Sequence, residues 1–122
     1  MANVDLEQKD REGNTALALA ATGGHIAVAE ALIDAGANVN SPNLKGDTPL
    51  ILATTKSKDD VVARLIGGKA DANAINKSGR SALDMAVQRC SSSLVERLIK
   101  AGAVQTQSES RETVLMQASE NC

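Results

Sequence analysis

The chain has 122 residues, 13 of them basic and 15 acidic, a net charge of −2 at pH 7, and no phenylalanine, tyrosine or tryptophan. That is one domain's worth of protein, with a core built from Ala, Val, Leu and Ile. The balance of charge excludes non-specific attraction to nucleic acid or to membrane surfaces. Without aromatics there is no stacking platform for single-stranded bases, and no apolar run approaches the roughly 20 residues of a membrane span. The N-terminus shows no signal-peptide pattern, and two cysteines in unrelated contexts fit a reducing compartment, the cytoplasm or the nucleus.

Taken in chain order, the predicted elements recur every 33 residues. Residues 1–9 are a short tail in which Asp5-Leu6-Glu7 aligns with the later Asn38-Val39-Asn40. A first unit over about 10–42 opens with Gly13-Asn14-Thr15-Ala16-Leu17. Thr15 stands as helix N-cap before Leu17, Ala20 and Ala21 at helical spacing. Gly23-Gly24 ends that helix, and Val28, Leu32 and Ile33 predict a second one, stopped by Gly36.

The second unit, about 43–75, repeats this as Gly46-Asp47-Thr48-Pro49-Leu50, with Pro49 at the first helical position, where no N–H is needed. Asp59 and Asp60 favour the start of its second helix, which carries Val61, Val62, Leu65 and Ile66. Lys69 stands where the other units have a stopping glycine, with Gly67-Gly68 just upstream, and predicts an early helix end. The third unit, about 76–108, has Gly79-Arg80-Ser81-Ala82-Leu83, then Ser91-Ser92-Ser93 as an N-terminal capping run before Leu94, Val95, Leu98 and Ile99. Thr113-Val114-Leu115 restarts the motif within a partial unit, 109–122. Two readings of that end stay open: a degenerate cap, or a piece of a longer array.

A period of this size means supersecondary units that bury their apolar faces only by stacking. The order of elements, and above all Gly46-Asp47-Thr48-Pro49-Leu50, Gly24-His25 and Gly36-Ala37-Asn38-Val39-Asn40, resembles the ankyrin repeat over nearly the whole chain. The resemblance implies a single all-α solenoid of stacked helix-turn-helix units joined by short hairpin loops. It also implies a non-catalytic module that binds a protein or peptide on a concave face made of first helices and hairpin tips. One departure is that Ala18, Ile51, Asp84 and Met116 replace the histidine usual after Thr-Pro-Leu. The inner ladder of that histidine is therefore missing, and the face is expected to be more variable and less rigid.

No chemistry competes strongly with that reading. His25 is the only histidine and has no nominated nucleophile or metal partner; a packed turn residue is the simpler account. Cys90 at a helix start is a candidate reactive thiol, and a rival reading as enzyme or redox sensor would be built around Cys90 or His25. No Cys or His spacing suits zinc, and neither glycine pair sits in a phosphate loop. No metal or cofactor is implied. The expected binding positions are Arg11, Leu44, Lys45, Asp47, Lys56, Ile75, Lys77, Arg80, Gln88 and Arg89. Lys56 and Arg89 share one register and should stack about 10 Å apart, the usual helix-packing distance. Leu44 and Ile75 put apolar side chains near the fingers, and the surplus of cations points to a partner with an acidic component. The other rival, from a different class, is a spacer segment within a longer multi-repeat protein.

Overall fold

The computed structural model describes residues 6–89 and 91–102. They form six helices: α1 (Ala16–Gly23), α2 (Ile26–Asp34), α3 (Pro49–Thr55), α4 (Asp59–Gly67), α5 (Ala82–Gln88) and α6 (Ser92–Lys100). Each odd-numbered helix packs on the even one that follows it. The odd helices stack in the order α1, α3, α5 and the even ones in the order α2, α4, α6. The result is an all-α stack with two layers of helices. The readings placed on Cys90 and on residues 109–122, including the motif from Thr113 to Met116, lie outside the described residues.

The first helices start as their hydroxyls dictate. Thr15, Thr48 and Ser81 are extended, and their side chains accept from the backbone N–H of Ala18, Ile51 and Asp84. Each thereby satisfies one of the orphaned donors of a helix N-terminus. Asp84 adds a capping box by accepting from the Ser81 N–H at 2.9 Å. The second helices start differently. His25, Lys58 and Ser91 occupy their N-caps, and none makes a side-chain cap bond. The Ser91–Ser93 run therefore does not cap α6 as expected. The Ser93 hydroxyl instead lies 3.4 Å from the Asp59 carboxylate of the neighbouring unit.

The expectation that α4 ends early is also corrected. It spans nine residues, as do α2 and α6. Lys69 takes the left-handed conformation, φ 71°, in the register of Gly36 and Gly102. That conformation lets the Ala70 N–H reach back to the Leu65 carbonyl, as Ala37 does to Leu32, closing the helix end. The geometry of the helix end thus overrides the backbone preference of one residue.

The core runs between the layers: Leu17, Leu50 and Leu83 from the first helices, Val61, Val62, Leu65, Leu94, Val95 and Leu98 from the second. Small residues at Ala20, Ala53 and Ala86 let the layers approach. Ala18 and Ile51, two of the positions that lack the expected histidine, are fully buried and belong to this interior.

Candidate functional site

The loops between units project as fingers, each built around one Asx side chain. Asp10 Oδ1 accepts from the N–H groups of Glu12 and Asn14, Asn43 Oδ1 from those of Lys45 and Asp47, and Asn76 Oδ1 from those of Ser78 and Arg80. This is the local turn chemistry for which Asn and Asp are suited. The same amides then link fingers together: Asn43 Nδ2 donates to Asn14 Oδ1 at 3.0 Å, and Asn76 Nδ2 to Asp47 Oδ1 at 2.8 Å. Backbone bonds from Leu44 N–H to the Glu12 carbonyl and from Lys77 N–H to the Lys45 carbonyl complete the ladder. The approach is close enough that a Cβ on Gly46 would stand 2.8 Å from the Lys77 nitrogen. A ladder thus runs through the finger tips although the histidine ladder is missing, so these tips are fixed relative to one another. The Asp10 carboxyl is held below its ordinary range, first by the hydrogen bond from the Asn14 backbone and then by that from Glu12.

Between the fingers and the first helices lie two adjoining depressions. The first, about 530 Å³, is lined by Arg11, Glu12, Asn14, Leu19, Thr22, Asn43, Leu44, Lys45, Asp47, Leu52 and Lys56. The second, about 420 Å³, shares Leu44, Lys45, Asp47 and Leu52 with the first and adds Thr55, Asn76, Lys77, Ser78 and Met85. Their floor includes Leu19, Leu52 and Met85, one per first helix in a single register. Leu44 lines both depressions and is 62% exposed; Leu19 is 50% exposed.

Six of the ten expected positions are brought together here: Arg11, Leu44, Lys45, Asp47, Lys56 and Lys77. The other four are not. Ile75 is exposed at the base of the third finger, bridged to Ser81. Arg80 and Gln88 are exposed but line neither depression. Arg89, expected to stack with Lys56, turns its Nε to the Ser57 hydroxyl at 2.8 Å. Leu19, Leu52 and Met85 were missed. The signal that could have found them is an apolar residue repeated at period 33 on the helix face opposite to Leu17, Leu50 and Leu83.

The charges here are unevenly engaged. Among the described residues the ion pair is Arg64 with Asp34, 2.6 Å, on the second-helix side. Asp47 already accepts from Asn76, and Glu12 is within 3.5 Å of the Asn14 amide. The side chains of Arg11, Lys45, Lys56 and Lys77 have no hydrogen bond or ion pair among the described residues. His25 is exposed, with its ring against Gly23. The described residues contain no group of three or more His, Cys, Asp or Glu placed to hold a metal. No described helix is long and apolar enough to cross a membrane.

A family model described as ankyrin repeats in three copies matches residues 1–74, and a second, described as ankyrin repeats in many copies, matches residues 52–99. No curated protein matched the chain.

Proposed function

The chain belongs to the ankyrin-repeat family, whose members generally serve as protein–protein interaction modules, and from that premise we propose that it binds a protein or peptide with an acidic component on its finger and first-helix face. It does so without catalysis of its own. One observation carries the reading: an apolar strip, with Leu19 and Leu44 exposed and Leu52 and Met85 half-buried, is edged by four cations whose side chains have no partner among the described residues. Apolar anchors ringed by charge are the usual anatomy of a recognition surface, and uncompensated cations steer an anionic partner. Arg11, Leu44, Lys45, Asp47, Lys56 and Lys77 form the inner set, with Ile75, Arg80, Gln88 and Arg89 as an outer rim. Asp47 serves by holding the Asn76 finger in place. Two cysteines without metal-ligand spacing support an intracellular location, the cytoplasm or the nucleus.

Affinity capture at increasing salt tests this, with wild type beside a Lys45→Glu/Lys56→Glu double variant and an Arg89→Glu variant. Capture should weaken with salt, be lost in the double variant and fall only modestly in Arg89→Glu. Captured partners indifferent to salt and to all three substitutions would place the binding surface elsewhere.

A further inference from the structure

The three fingers differ at one equivalent position, which carries Arg11, Leu44 and Lys77 in turn. A cation therefore stands in the same register on each side of a single leucine. Leu44 and Leu52 line both depressions; the first adds the exposed Leu19, with Arg11 at its finger edge, and the second adds the half-buried Met85, with Lys77 at its finger edge. Leu44 is also set rigidly. Its N–H is tied to the Glu12 carbonyl, and its side chain lies over Gly13, where an added Cβ would come within 3.0 Å of its Cγ. A lining without aromatic rings reads size and apolarity, whereas polar recognition falls to the cations at the edge. At about 530 Å³ the first depression is in the range of ligand pockets, which run from roughly 300 to 1,000 Å³.

Resting on the function proposed above, we infer that the first depression is an anchor pocket for one large aliphatic side chain of an extended peptide whose carboxylates engage Arg11 on one side and Lys77 on the other. Stacked helices lie about 8–10 Å apart and an extended chain advances about 3.3 Å per residue. Neighbouring fingers are thus about three residues apart along a bound peptide. The recognised pattern is an acidic residue, a leucine-like residue about three positions on, and a second acidic residue about three positions beyond that. Lys45 and Lys56 add a general preference for negative charge between these points. The fingers are already linked by Asn43 and Asn76, so little ordering cost is left to binding.

A phage-displayed library of random short peptides, selected on the full chain, supplies the probe. The selected sequences should share that pattern. A synthetic peptide of the consensus should lose about tenfold in affinity, measured by fluorescence anisotropy, when its apolar residue becomes alanine or when the protein carries Leu44→Ala. Leu44 is exposed, so this variant keeps its fold, which circular dichroism checks. Arg11→Glu/Lys77→Glu should shift preference toward peptides with lysine at the outer positions. Acidic peptides that ignore the apolar residue and Leu44→Ala, yet respond to Lys45→Glu/Lys56→Glu, would overturn the anchor and leave the broader reading standing. A library that yields no binder, or binders indifferent to every one of these substitutions, would overturn both.

Discussion

Lys69 holds a left-handed backbone, φ 71°, at a position where Gly36 and Gly102 do the same without a Cβ. Left-handed geometry costs an L-residue about 1–2 kcal/mol, and part of that gain is returned because glycine is freer in the unfolded chain. Lys69→Gly should therefore stabilise by about 0.5–1 kcal/mol, seen as a higher urea midpoint at unchanged slope. Asp10 tests the charge side of the same local chemistry. Its folded pKa lies below the ordinary 3.8 because the Asn14 and Glu12 backbone donors favour the carboxylate. A depressed folded pKa contributes stability at pH values above the unfolded pKa, and that contribution is lost as pH falls through the folded pKa. An NMR titration should place the Asp10 midpoint below 3.8. Asp10→Asn, which copies Asn43 and Asn76, should keep the turn and flatten the acid limb of the stability curve.

At the scale of elements, helix starts and finger links can be separated experimentally. Thr48 caps α3, which packs on both α1 and α5, and it is buried. Thr48→Ala should cost about 1 kcal/mol in chemical denaturation, because the Ile51 N–H loses its acceptor. Asn76 does two tasks: its carbonyl closes the third finger and its amide ties that finger to Asp47. Asn76→Asp keeps the first task and destroys the second, since a carboxylate cannot donate and would face Asp47 with like charge. The expected result is faster amide exchange at Lys77 and a loss of roughly 1–2 kcal/mol, with helix content unchanged by circular dichroism.

The whole stack is coupled only between neighbours, which leaves equivalent residues unequal. Val28, Val61 and Leu94 share one register, yet Val28 is 52% exposed while Val61 and Leu94 are 1% and 0%. The difference is coverage: α4 and α6 each lie against the preceding even helix, whereas α2 has no described helix on that side. Val61→Ala should cost about 2 kcal/mol, from lost transfer energy plus a cavity. Val28→Ala should fall within about 0.5 kcal/mol of wild type. Similar losses from both substitutions, by thermal or chemical denaturation, would mean that the first helix pair is covered as fully as the second.

The 33-residue register, the helices, the capping hydroxyls of the first helices and the exposed Leu44 were legible in the chain alone. Each depends on local chemistry or on a period, and both are written along one dimension. Tertiary structure decided the rest. The full length of α4 followed from the chain-reversal geometry at Lys69, where closing the helix end outweighs a backbone penalty of one residue. Leu19, Leu52 and Met85 became a site floor only because three separate helices stack in register beneath the fingers. Lys56 and Arg89 share a register, but only Lys56 lines a depression, and the Arg89 Nε donates to the Ser57 hydroxyl. The task of Asn43 and Asn76 in linking one finger to the next depends on neighbours 29 positions away. Hydrogen bonds and coverage between units depend on distances in space, which a repeat period predicts for the backbone and leaves open for individual side chains.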